Sequence, residues 1–147
     1  MGGVIDTNIL LYAANRQAAE HPTARDFITQ AARSSEQWYL TSGLVYEFLR
    51  VSTHPRVFPQ PLSAVQAVRF IQPFIRSSAF QVLSPGERHW DLLDEEVRRL
   101  GFPAGNLFFD IRTVVLMREH GLRVIYTADT DFLQFPGITV VDPVHQR

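Results

Sequence analysis

Val4-Ile5-Asp6-Thr7-Asn8-Ile9-Leu10-Leu11-Tyr12 is the stretch on which the fold turns. Gly3-Val4-Ile5 reads as a short apolar strand, and the run from Thr7 through Ala13 as a short helix that follows it without a linker. A strand passing straight into a helix is half of a βα unit, and repeated units of this kind build a parallel sheet with helices on both faces. Asp6 stands at the junction. The pattern recurs near the other end of the chain, where the strand Arg123–Tyr126 runs into Thr127-Ala128-Asp129. Both acids therefore fall on the same edge of the sheet. In open α/β sheets that edge, beyond the carboxyl ends of the strands and near the switch in strand order, is where ligands bind.

Between these two junctions the chain alternates in the same way. His21 to Arg33 predicts a helix with Pro22 in its first turn. Gln37 to Leu40 predicts a strand, and Thr41-Ser42 caps a helix reaching about Ser52. Pro55 and Pro59 impose a loop. Ser63 opens a helix whose apolar stripe is Ala64, Ala67, Val68, Ile71, Phe74 and Ile75, with Pro73 kinking or shortening its last turn. Phe80 to Leu83 is a strand. A helix from about Glu87 to Leu100 is expected to bury Trp90, Leu93, Val97 and Leu100. Gly101 to Gly105 breaks the chain, and a helix from about Asn106 to His120 stops at Gly121. Asp129 to Leu133 forms a helical turn, and Ile138 to Val141 is the last strand. The expected organisation is one domain over residues 1–147.

Composition narrows the class. The chain has 147 residues, 46% of them hydrophobic and 20% charged, which is ordinary globular usage with enough length for a real core. It has no cysteine, so disulfides and thiolate metal sites are excluded, and a cytoplasmic location is expected. No apolar run approaches transmembrane length, so no membrane partner is expected. Net charge is −1, and all 14 basic residues are arginine. The arginine fork suits phosphate, although codon usage in a GC-rich genome is the more common reason for missing lysines.

Four acids interrupt apolar surroundings: Asp6, Glu47 in Val45-Tyr46-Glu47-Phe48-Leu49, Asp110 in Leu107-Phe108-Phe109-Asp110-Ile111, and Asp129. At about 100° per residue, Glu47 borders the arc of Leu44, Phe48 and Val51, and Asp110 borders that of Leu107, Ile111, Val114 and Val115. Each alone has a plain structural explanation. Asp6 and Asp129 serve as helix caps, Glu47 as a salt-bridge partner of Arg50, and Asp110 as a favourable charge in an early helical turn. Together they point to a shared cation, because isolated carboxylates are costly to desolvate and hard oxygen ligands select Mg²⁺ or Mn²⁺. Such ions activate water and offset charge on a phosphodiester. Asp131 is a fifth acid able to join them. Thr7, Asn8 and Thr127 are small polar neighbours suited to holding the ligands in place. Arg50, Arg56 and Arg112 are candidate contacts to phosphate, and each reads at least as well as an ordinary surface arginine. The five histidines show no paired metal-ligand spacing, and no nucleophile elbow, P-loop or dinucleotide fingerprint is present. Trp38, Trp90 and the phenylalanines read as core or oligomer interface rather than base-stacking platforms.

Ile5-Asp6-Thr7-Asn8-Ile9-Leu10-Leu11, the helix around Glu47, Asp110 and the box Thr127-Ala128-Asp129-Thr130-Asp131-Phe132 together resemble a PIN domain, and more narrowly a VapC-type toxin ribonuclease of a bacterial type II toxin–antitoxin system. Glu47-Phe48-Leu49-Arg50-Val51-Ser52-Thr53-His54-Pro55-Arg56-Val57-Phe58, Gly105-Asn106-Leu107 and Asp131-Phe132-Leu133-Gln134-Phe135-Pro136-Gly137 extend the likeness end to end. The resemblance implies a three-layer α/β/α sandwich and a Mg²⁺- or Mn²⁺-dependent endoribonuclease with Asp6, Glu47, Asp110 and Asp129 as its acids and Asp131 as an accessory. It also implies a homodimer and a cognate VapB-like antitoxin whose C-terminal segment covers the active site. The sequence departs from the pattern at Phe108-Phe109-Asp110-Ile111, where a smaller, more polar stretch is usual, and this bears on substrate preference. Two other readings stay open. One is an aspartyl-phosphate phosphoryl-transfer enzyme, weakened by Asn8 where a second Asp is usual and by the absence of lysine. The other is a PIN-like scaffold that binds RNA or protein without cutting.

Overall fold

Strand β1 (Val4–Ile5) is two residues long, and both side chains are fully buried, one on each face of a sheet. The computed structural model describes residues 2–145. After β1 come α1 (Thr7–Ala14), α2 (His21–Arg33), β2 (Trp38–Thr41), α3 (Ser42–Ser52), α4 (Ala64–Arg76), β3 (Phe80–Leu83), α5 (His89–Leu100), α6 (Leu107–Glu119), β4 (Val124–Tyr126), a 3-10 helix (Thr130–Gln134) and β5 (Thr139–Val141). All strand pairings are parallel, in the order β3-β2-β1-β4-β5. The order reverses between β1 and β4, which places the switch point at the centre of the sheet.

Register sorts the side chains between two apolar cores. Val4 lies opposite Tyr39 and Ile125, and Ile125 opposite Val140, and all four face the layer formed by α5 and α6. Ile5, Trp38, Leu40 and Phe80 face the layer of α1, α2 and α4, with Tyr126 packed against it. Helix α3 spans both, giving Leu44 to one core and Val45 and Phe48 to the other. This is an α/β/α sandwich. Each fully buried Leu, Ile or Phe contributes about 1.5–3 kcal/mol relative to exposure. Helix α6 is buried at Ile111 and continuously from Thr113 to Met117, as expected of a helix apolar on all sides. Its end is a Schellman motif: Gly121 has φ 70°, and Leu122 N–H donates to the Met117 carbonyl at 2.7 Å. Among the described residues no helix is long and apolar enough to cross a membrane.

Two expected faces are corrected. Helix α4 carries the expected capping box at Ser63 and buries Ala67 and Ile71, but Val68 and Ile75 lie on its outer side beside Val65. The inward face turns toward Phe70, which stacks on Phe48 at 5.2 Å. Pro73 neither ends nor shortens the helix, which runs on to Arg76. In α5 the buried residues are His89, Leu92 and Glu96, while Trp90 is 69% exposed. The rotation follows from an ion pair. Glu96, 1% exposed, accepts from Arg118 of α6, and Arg118 also donates to the Pro136 carbonyl at 2.8 Å. Arg99 approaches Glu96 at 3.5 Å. A charge buried by a distant partner cannot be found from hydrophobic periodicity.

Removing one member of a buried pair strands the other charge. Arg118→Ala is expected to lower unfolding free energy by about 3 kcal/mol, with Glu96→Gln/Arg118→Met recovering much of it; urea melts of wild type and both variants check this.

Candidate metal centre

The ends of β1 and β4 lie side by side, and one buried hydroxyl joins them. Thr127, fully buried, donates from Oγ1 to Asp6 Oδ2 at 2.7 Å. The same oxygen accepts from Asn8 Nδ2 at 2.9 Å and from the Asp129 amide at 3.0 Å. Its one donor and two acceptor sites are thereby all used. Asn8 adds a hydrogen bond to Asp6 Oδ2 at 3.2 Å and accepts the Ala128 amide at 3.1 Å. Asp6 also accepts the Thr7 amide at 2.8 Å, so it is the N-cap of α1 and a wall of the cleft at once. Thr7 ties in α3, its hydroxyl lying 3.2 Å from the Leu44 carbonyl and 3.5 Å from Glu47 Oε2.

Asp129 combines two roles in the same manner. It caps the 3-10 helix by accepting the Asp131 amide at 2.8 Å. Asp110, in the first turn of α6, approaches the cleft from that helix. Carboxylate oxygens of Asp110, Asp129 and Asp131 lie within 4.8 Å of one another, close enough to share one cation. Asp6 and Glu47 stand outside that trio but within its field.

Electrostatics make the case for a cation more strongly than proximity does. Burial pushes the Asp6 carboxyl up to about 6, against hydrogen bonds from Thr127 and Thr7 that favour the charged form, and Glu47 and Asp129 raise it further. Burial also pushes Asp110 up to about 7, reinforced by Asp129, Asp6, Asp131 and Glu47. No arginine figures among these main influences. The five acids thus share one cleft, and every donor is a hard oxygen. That set fits Mg²⁺ or Mn²⁺ and does not fit a thiophilic metal.

The structure brings Asp6, Glu47, Asp110, Asp129, Asp131, Thr7, Asn8 and Thr127 to this one place. Among the arginines, Arg112 is on α6 two residues past Asp110, and its guanidinium lies against the Gly43 backbone of α3. Arg50 and Arg56 are exposed, in the last turn of α3 and in the loop after it, and no hydrogen bond or ion pair joins their side chains to the acids among the described residues. Gly43 is a residue that sequence reasoning misses. Its one local signal is a glycine inside a helix, which costs about 0.5–1 kcal/mol relative to alanine. A separate cleft of about 640 Å³ opens between α2 and α4, lined by Ile28, Phe70 and Phe74 among others. It has no carboxylate in its lining, so the acid chemistry resides at the sheet edge instead.

Comparison with known proteins places the chain in a family and gives its fold relatives. Residues 3–138 match the PIN domain family. The chain is 30% identical to Ribonuclease VapC48 of Mycobacterium tuberculosis over 146 residues, covering 97% of this chain and 98% of that protein. Its fold is similar to that of VapBC2 from Rickettsia felis, solved bound to a promoter DNA fragment, with a TM-score of 0.67 at 16% identity, covering 95% of this chain and 97% of that one. It is similar also to Mycobacterium tuberculosis VapC20, a sarcin-ricin loop cleaving toxin, with a TM-score of 0.65 at 18% identity, covering 92% and 98%. By sequence match across nearly its whole length, the chain belongs to the PIN domain family, among the ribonucleases named VapC.

Proposed function

We propose that this protein is a divalent-metal-dependent endoribonuclease, a single PIN domain over residues 1–147 acting in the cytoplasm as the toxin of a VapBC-type pair. The reading is supported above all by five carboxylates converging on the switch point of the sheet, where burial is the main force raising Asp6 and Asp110 and the neighbouring acids add to it. Asp110, Asp129 and Asp131 would hold Mg²⁺ or Mn²⁺, with Asp6 and Glu47 ligating directly or through water. When bound, the ion supplies positive charge that makes water nucleophilic near neutral pH and offsets charge on the phosphoryl oxygens.

The chain's own part is positioning. Thr127 and Asn8 fix Asp6, so the carboxylate keeps its place as its charge changes. The Thr7 hydroxyl sets Glu47 beside it. Water attacking phosphorus opposite the 3′-oxygen would form a new P–O bond as the P–O3′ bond breaks, leaving a 3′-hydroxyl and a 5′-phosphate, whereas attack by the ribose 2′-hydroxyl would expel the 5′-oxygen instead. The partner is a VapB-like antitoxin whose C-terminal segment covers the acidic edge, a reading that rests on the likeness to VapC proteins. A homodimer is supported by the outer row of α4, where Val65, Val68 and Ile75 are exposed at 59%, 43% and 39%.

The deciding experiment incubates antitoxin-free protein with total bacterial RNA and Mn²⁺ or Mg²⁺, then with EDTA, beside Asp110→Ala. Discrete cuts with 5′-phosphate ends are expected, lost with chelator and reduced at least about 100-fold by the substitution; uncut RNA with a folded protein that shows no saturable Mn²⁺ site by calorimetry would favour a non-catalytic scaffold.

Stability should depend on pH in a direction that exposes the acid cluster. Both raised carboxyls bind protons in the folded state that the unfolded chain has released by about pH 5. The stability this confers is present below about 3.8, the ordinary value, and is lost as pH rises through about 6 for Asp6 and about 7 for Asp110. Metal-free protein is therefore expected to melt lower at about pH 8 than at about pH 5, with the slope reduced in Asp110→Asn and Mn²⁺ restoring the loss at the higher pH. A melting temperature that climbs over that range without metal contradicts the electrostatic account.

The dimer has its own check: Val68→Asp is expected to shift the protein from dimer to monomer in light scattering.

A further inference from the structure

The chain after β5 turns back onto the α1 and α2 side of the sheet, where one imidazole fastens it. Asp142 makes the turn: its Oδ1 accepts the amides of Val144 and His145 at 3.0 and 3.1 Å. Val144 packs against the core beneath α1, α2 and α4. His145 then lies between two acids. Its Nδ1 is 3.0 Å from Asp142 Oδ2, and its Nε2 is 3.2 Å from Oε2 of Glu20, the N-cap residue of α2. The Tyr12 ring of α1 meets the imidazole edge-on, with centroids 6.1 Å apart. Asp142 and His145 also line a cleft of about 360 Å³ that reaches Thr127 and Asp129.

A carboxylate only accepts, so each of the two contacts needs a hydrogen on the imidazole. The neutral ring carries one and the charged ring carries two, so this geometry selects the charged form. The hydrogen bonds to Asp142 and then Glu20 hold the His145 pKa above the ordinary 6.5, against burial. The titratable groups around the ring are Asp142 on its own segment, Glu20 at the head of α2, and Tyr12 on α1, whose hydroxyl burial and then Glu20 raise. His21 is engaged with the Tyr12 carbonyl at 3.0 Å, and Asp129 makes no ion pair with the ring among the described residues. The two contacts differ in kind: the Asp142 contact spans three positions within one turn, and the Glu20 contact spans 125. A ring that loses a proton keeps the local hydrogen bond and turns a lone pair toward Glu20. We propose that residues 142–145 are a proton-operated latch: charged His145 fastens the segment to Glu20, and loss of the Nε2 proton releases it, freeing one wall of the cleft beside Asp129. The folded ring holds its proton more tightly than the unfolded chain does. The latch therefore contributes fully below about 6.5, and its contribution is lost as pH rises through the higher folded value. It does not depend on the ribonuclease reading.

The test follows the His145 imidazole by NMR in the full chain, its signal assigned with His145→Gln. Amide exchange at Val144 and His145, corrected for its intrinsic pH dependence, is read alongside. Wild type is expected to titrate above 6.5 and to lose about 3-fold of the protection at these amides across that titration. Glu20→Gln supplies an amide that either accepts or donates, so protection is expected to persist on both sides while the midpoint falls toward 6.5. Asp110→Asn, which quiets the acid cluster, is expected to leave the latch as in wild type. A His145 midpoint at or below 6.5, or wild-type protection that stays constant across the titration, overturns the latch. An undiminished loss of protection in Glu20→Gln overturns it as well, because release then does not run through Glu20. Disappearance of the effect in Asp110→Asn assigns it to the acid cluster and is equally fatal.

Discussion

Mutual repulsion among carboxylates at the carboxyl edge of the sheet is the constraint around which the rest of the site is arranged. Left to themselves the acids would separate or take up protons, and Asp6 and Asp110 are pushed in that second direction, first by burial and then by the neighbouring acids. What prevents separation is the backbone. β1 and β4 are neighbours, so Asp6 and Asp129 leave the sheet together, and the buried Thr127 hydroxyl binds both residues. Asp6 and Asp129 are thus held together by sheet topology and one saturated hydrogen-bond node. A cation entering the cluster meets ligands already gathered, which keeps the ordering cost of binding low.

The surrounding architecture serves that node. A two-residue central strand is short, but each of its side chains is fully buried in a different core. Helix α3 belongs to both cores and brings Glu47 to the cleft, while the buried length of α6 anchors Asp110 in its first turn. The Glu96–Arg118 pair fixes α5 on α6 and extends to Pro136, just after the 3-10 helix that carries Asp131. The candidate metal ligands therefore sit on packed elements and at their caps.

Much of this is legible in the chain because the relevant signals are local. Strand–acid–helix at Val4–Asp6–Thr7, and again at Tyr126–Asp129, is enough for the parallel fold and the shared edge. Ser63, Thr41 and Gly121 mark helix ends through capping chemistry that depends on a few neighbouring residues. The misses share a different cause. Periodicity counts apolar residues and so turns Trp90 inward, whereas the pairing of Glu96 with Arg118, 22 positions away, overrides that count. Val68 and Ile75 lie outside because Phe70 stacks on Phe48 of another helix. Gly43 and Arg112 meet only once α3 and α6 are packed, so nothing local signals their meeting beyond an unusual helical glycine.

In this cleft protons occupy, in part, the place of a cation. Proton release on binding Mn²⁺ probes that exchange without relying on activity. It is obtained by titration calorimetry near pH 6 in buffers of differing ionisation enthalpy, and again near pH 8. A saturable site that displaces about one to two protons at the lower pH, and close to none at the higher, is the expected result. Binding without proton release at the lower pH, or no saturable binding at either, would contradict it.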